Sequence, residues 1–161
     1  MNKVISLASV VVVVALIILA MGRVASASGT STLTVTATVL GECQFITTAS
    51  TLAFTLDPSS AANATATASP TFWCTLGTTV TTPVAYNQGL NYSGGSNRMK
   101  STSNPTQFIP YTLALTPSGT TGLGRSNPLT LTVTGTVLNA NYINAMAAND
   151  YTDTVTITIA P

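Results

Sequence analysis

Three stretches of the chain alternate apolar residues with threonine. Leu33, Val35, Ala37 and Val39 lie near the start. Leu129, Leu131, Val133, Gly135 and Val137 lie further on, and Val155, Ile157 and Ile159 lie close to the C-terminus. Period-two alternation marks a strand with one face buried and the other in water. Elsewhere, short β-branched or aromatic runs alternate with turn chemistry: Asp57-Pro58-Ser59-Ser60, Asn87-Gln88-Gly89, Ser93-Gly94-Gly95-Ser96-Asn97, Thr116-Pro117-Ser118-Gly119 and Ser126-Asn127-Pro128. This rhythm predicts an all-β sandwich. The expected strands cover 32–39, 43–46, 51–56, 68–74, 81–86, 111–115, 129–137 and 152–159. Gly135, inside a strand, predicts a bulge or the close approach of another backbone. The small-residue run 61–68 reads as a loop entering a weak strand. The stretch 139–149 reads as a loop crossing one end of the sandwich.

The N-terminus has a different pattern. Lys3 and the free amine precede an almost unbroken apolar run from Val4 to Met21, and Ala25-Ser26-Ala27 comes next as a small-x-small site. The run is long enough for a membrane span. Its position and the site behind it favour a secretory signal cut after Ala27, with Arg23 slightly off-pattern. The mature remainder, 28–161, has the length of one domain. The alternating strand 32–39 at its start is either the first strand of that domain or a strand meant for another copy of the chain.

Beyond Ala27 the charges are Arg98, Lys100 and Arg125 against Glu42, Asp57, Asp150 and Asp153, a net of −1. Such a surface has no electrostatic footprint for nucleic acid and little charge to oppose self-association. The chain has no histidine, which removes Ser-His-Asp and Cys-His catalysis. Asp150 and Asp153 are the only neighbouring carboxylates, a weak basis for a glycosidase pair. No catalytic residue, metal site or cofactor is expected. The two cysteines, Cys43 and Cys74, lie in the exported part and read as one disulfide in an oxidising compartment, the other reading being two buried thiols. Arg98 and Lys100 flank Met99 beside a glycine-rich turn and read as a solvated loop. Trp73 reads as a core aromatic packed on the disulfide, and Asn63 and Asn91 begin chance glycosylation sequons.

The order of these pieces resembles the spore coat protein U domain, which is also the subunit type of archaic chaperone–usher pili. The residues that carry the resemblance are Cys43, Leu52-Ala53-Phe54, Phe72-Trp73-Cys74, Asn97-Arg98-Met99, Phe108-Ile109-Pro110-Tyr111-Thr112-Leu113, Val133-Thr134-Gly135-Thr136-Val137 and the ending Asp150-Tyr151-Thr152-Asp153-Thr154-Val155-Thr156-Ile157-Thr158-Ile159. The chain departs from the family pattern at Thr55, Ala114 and Leu123.

The resemblance implies an immunoglobulin-like β-sandwich of pilin type, lacking one strand and completed by a donor strand from another subunit. On that reading 1–27 is the signal, 28–42 an N-terminal extension with Leu33, Val35, Ala37 and Val39 as donor residues, and 43–161 the sandwich. Val155, Ile157 and Ile159 form the C-terminal strand. The implied partners are other copies or related pilins, a periplasmic chaperone and an outer-membrane usher, with no stable membrane insertion once the signal is cut. The implied route runs through the inner membrane and periplasm to a surface pilus serving adhesion and biofilm. The alternatives are a coat or surface protein without a pilus, and a monomeric carbohydrate-binding module using Trp73 or the tyrosines.

Overall fold

The computed structural model describes residues 29–161; the expected signal and its cleavage point at Ala27 lie outside the described residues. Met1–Ala37 belongs to one unit and Thr38–Pro161 forms another. In the first, 29–37 carry neither helix nor strand, and Leu33 and Val35 are 84% and 82% exposed. No part of the strand expected over 32–39 has a ladder partner among the described residues.

The second unit is built around β7 (Leu129–Val137). Its alternation is realised as expected: Leu129, Leu131, Val133 and Val137 are buried, and the threonines between them face outward, since residues i and i+2 share a face of a strand. Along one edge β7 pairs antiparallel with β6 (Phe108–Pro117). Along the other it pairs with β2 (Ala64–Ala68) and then with β3 (Thr71–Cys74). The single strand expected over 68–74 is therefore divided at Pro70, which has no N–H to give a ladder; its carbonyl still accepts from Leu131 N at 2.8 Å. The run 61–68, expected mostly as loop, supplies a five-residue strand because its Ala-Thr text is itself a period-two pattern.

The sheet continues from β6 to β5 (Asn97–Ser101) and β8 (Tyr151–Thr152), and β1 (Cys43–Phe45) extends it beyond β3, making seven strands. A second, two-stranded sheet pairs β4 (Ala85–Tyr86) with β9 (Ile157–Thr158). In 139–149 only α1 (Asn139–Tyr142) is helical, a single turn. The pairings are antiparallel, and the architecture is the expected all-β, immunoglobulin-like sandwich.

Three local expectations are corrected. The 97–101 segment is a paired strand and not a solvated loop: β6 and β8 hold it on both sides, and Arg98 lies over the Phe108 ring at 4.2 Å, so its charge stays outside while its stem covers apolar surface. Trp73 does not pack on the disulfide. With Phe72 and Cys74 inward on β3, alternation turns Trp73 outward, where the Arg125 guanidinium sits 5.6 Å from its ring. Gly135 makes no bulge, since its register with Ala66 and Leu113 is unbroken; the close approach is made by the side chains of Leu52 and Phe54, which fill the space a Cβ would take. The disulfide expected between Cys43 and Cys74 is present, joining directly opposed residues of β1 and β3.

Candidate functional site: a groove between two unpaired edges

Residues 51–56 have the side-chain arrangement of a strand without its hydrogen bonds. Leu52, Phe54 and Leu56 are half-buried and alternate with exposed Thr51, Ala53 and Thr55. Leu52 packs on the core around Phe72 and Leu131, while Phe54 and Leu56 pack on the core around Ile109, Val137 and Tyr142. Yet the backbone of 51–56 makes no hydrogen bond among the described residues.

The same holds at the C-terminus. The strand expected over 152–159 is formed only in its end pieces, β8 and β9. Val155, Ile157 and Ile159 alternate half-buried along it as expected, but the backbone of 153–155 is also unpaired among the described residues. Beyond β8 the segment bonds with 81–87, where Asn87 N donates to Thr156 O at 2.9 Å and Thr81 N donates to Ala160 O at 3.0 Å.

Between these two edges lies a groove of about 790 Å³, walled by 50–56 and 151–157 and floored by Ile109, Leu113 and Val133. Leu52, Ile157 and Ile159 belong to the first core, and Phe54, Leu56, Tyr151 and Val155 to the second. The walls therefore run in opposite directions. An apolar floor between two strand edges with free N–H and C=O groups is a template for one more strand.

Polar anchors hold the walls. Asp153 Oδ2 accepts from the buried Tyr111 hydroxyl at 2.7 Å, and Oδ1 accepts from Leu90 N at 2.9 Å and Asn91 Nδ2 at 3.2 Å. Burial, and then the Asp153 carboxylate, push the Tyr111 phenol well above its usual range. Gly89, at φ +70°, gives Asp153 the room that a Cβ would occupy. Asp150 accepts from Ser101 Oγ and Thr102 Oγ1, each at 2.8 Å, and from Ser103 N at 2.6 Å. The bonds from Ser101, then Ser103 and Thr102, hold its carboxyl well below the usual carboxylate range. The two carboxylates expected as a weak pair thus serve different segments as structural acceptors.

At the far end of the other wall, Asn139 N donates to Asn63 Oδ1 at 2.9 Å, and Tyr142 OH donates to Ala62 O at 2.6 Å. Asn63 and Asn91, the two sequon asparagines, both hold backbone in place. Tyr111 and Tyr142 are core residues, whereas Tyr86 and Tyr92 are exposed, so the five tyrosines do not form one platform. Among the described residues no helix is long and apolar enough to cross a membrane.

Both walls coincide with expected strands, the C-terminal one marked by its alternation and 51–56 as a short β-branched and aromatic run. The Asp153–Tyr111 anchor has no local signal in the sequence, since its two residues meet only through the fold. Comparison with curated proteins gives no match. A family model does match: the spore coat protein U domain covers residues 29–158, and the chain belongs to that family of structural domains found in pilus subunits and coat proteins.

Proposed function

We propose that this chain is a structural subunit that polymerises by donor-strand exchange, residues 33–39 of one copy filling the groove of the next. The observation that carries the reading is the pair of unpaired edges, 51–56 and 153–155, facing each other across an apolar floor. Leu33, Val35, Ala37 and Val39 have the spacing to point together into that floor. Seven residues span about 20 Å as a strand, which suits walls of this length. Each larger apolar side chain buried contributes about 1.5–3 kcal/mol, and each backbone bond about 1 kcal/mol.

Direction is set by the chain path. The acceptor's own extension leaves beside Gly41 and Thr78, at the end of the sandwich where 159–160 finish. A donor running antiparallel to 151–159 leaves at the opposite end, clear of that extension. The contact is head-to-tail and does not close, so it yields a fibre. Before assembly the open groove needs a stand-in strand, the role of a periplasmic chaperone, and delivery at the cell surface falls to an outer-membrane usher. The disulfide holds β1 to β3 while the groove is empty. Export behind a signal cut at Ala27, and a surface pilus with a role in adhesion and biofilm, complete the reading.

The test is an unboiled gel of 28–161 from the periplasm, beside a form lacking 28–40 and a Val35→Asp variant. Detergent-resistant multimers that disappear in the truncation and weaken in Val35→Asp support the proposal. Monomer alone in every lane sinks it and leaves a coat protein complete in itself.

A further inference from the structure

Two apolar patches lie at opposite ends of the sandwich, one beside the extension and the other at the rim of the groove. At the end where the extension joins the domain, three neighbouring segments meet. Thr75 Oγ1 donates to Leu40 O at 3.2 Å, and Gly77 N donates to Gly122 O at 2.9 Å. They present Leu40, Leu76 and Leu123, which are 78%, 74% and 50% exposed. At the other end, the turn after β7 presents Leu138, Ile143 and Met146, each 45–49% exposed. β7 separates the two ends by about 30 Å. Clustered exposure of large apolar side chains marks an interaction surface, unlike single exposed leucines.

We infer that these two patches are the two halves of one contact between successive copies of this chain, made in addition to the donor strand. The inference rests on the donor-strand reading and adds to it. Only Leu40, Gly41 and Glu42 separate the last donor residue, Val39, from Cys43 at the start of β1. Even fully extended, the path from Val39 to Cys43 covers about 14 Å. Once Val39 is seated at the far end of a groove, the donor's own domain has no room to stand away. Its Leu40, Leu76 and Leu123 are brought against the end that carries Ile143 and Met146. Continuity with the groove supports the same partner, because Met146 also lines it. The occupant is therefore a second copy, and the patch on each end remains unmatched within one copy because its complement lies on the next.

The contact sets how rigidly neighbouring subunits are oriented, a property the strand alone leaves to a three-residue link. The experiment is disulfide trapping in the full chain with Leu123→Cys and Met146→Cys together. The native cysteines are already bonded to each other. Boiled, non-reducing gels are expected to show a ladder beyond the dimer for the double variant, collapsing to monomer with reductant. Either single variant, or Tyr92→Cys paired with Met146→Cys, should give at most a dimer. If the unboiled ladder persists while the trapped ladder is missing, the end-to-end contact is overturned and donor-strand exchange stands. If unboiled wild-type chain gives no ladder, donor-strand exchange fails and this contact fails with it. As a second measurement, Leu123→Asp is expected to lower the temperature at which unboiled multimers dissociate without abolishing them. No change in that temperature also counts against the contact.

Discussion

Replacing Gly135 by alanine separates two opposed effects by sign. In an ordinary strand interior, Gly→Ala removes backbone freedom from the unfolded chain and stabilises by about 0.5–1 kcal/mol. Here the added methyl lands where Leu52 and Phe54 already sit, with Phe54 Cζ at 2.5 Å. Neither β2 nor β6 can yield easily, since both are paired to β7 through this position. Relief therefore falls on 51–56, whose backbone makes no hydrogen bond among the described residues to resist displacement. Overpacking of this kind costs about 1–3 kcal/mol, so the net expectation is destabilisation of about 0–2.5 kcal/mol after the entropic gain. Equilibrium urea unfolding of the disulfide-bonded chain reads it as a lower midpoint at unchanged slope. Adding Leu52→Ala, which removes colliding atoms, should make the double variant less damaged than the sum of the singles. Because 51–56 is also a groove wall, Gly135→Ala should weaken multimers as well. A stabilising Gly135→Ala, or strict additivity with Leu52→Ala, refutes the account.

Other consequences are independent of that site. Cys43→Ser with Cys74→Ser should cost about 3–4 kcal/mol on the loop-entropy model, read by denaturation with and without reductant. Tyr111→Phe removes a hydrogen bond to a carboxylate and should cost about 1.5–3 kcal/mol, a Tm loss of roughly 4 °C per kcal/mol. The folded-state pKa of Asp150 is depressed, so its contribution is present above the unfolded value near 4 and is lost as pH falls through the folded one. The stability gap between wild type and Asp150→Asn should accordingly be widest at neutral pH and close in strong acid; a gap constant from pH 7 to pH 2 rejects the assignment. Arg125→Ala should change stability by less than about 1 kcal/mol yet alter Trp73 fluorescence, because the guanidinium lies over an outward ring.

Where a segment's neighbours are dictated by its own period, the sequence reading and the structure coincide. β7 spans the expected 129–137, and its inward residues are those the alternation selected. The C-terminal wall, 152–159, is legible for the same reason, whereas 51–56 is legible only as a short β-branched and aromatic run. Sequence and structure part where a partner decides the conformation. The charged residues of 97–101 carry no strand signal of their own and form one because β6 and β8 flank them. By residue type Trp73 belongs to the core, and its outward direction follows from its place between the inward Phe72 and Cys74. The expected strand over 68–74 breaks at Pro70, which has no N–H to give a ladder.

What the sequence determined by itself was the one-sided alternation of 33–39, 129–137 and 155–159, the presence of just two cysteines and the absence of imidazole chemistry. Each depends only on residue type and local spacing. Tertiary structure alone decided which strand edges are paired. A run such as 33–39, 51–56 or 153–155 has the same alternation whether or not a neighbour completes its ladder, because hydrogen bonding between strands depends on what the rest of the chain brings alongside. Only with 81–87 bonded to one side of the C-terminal segment, and β6 and β7 beneath it, does its other side emerge as an open edge opposite 51–56.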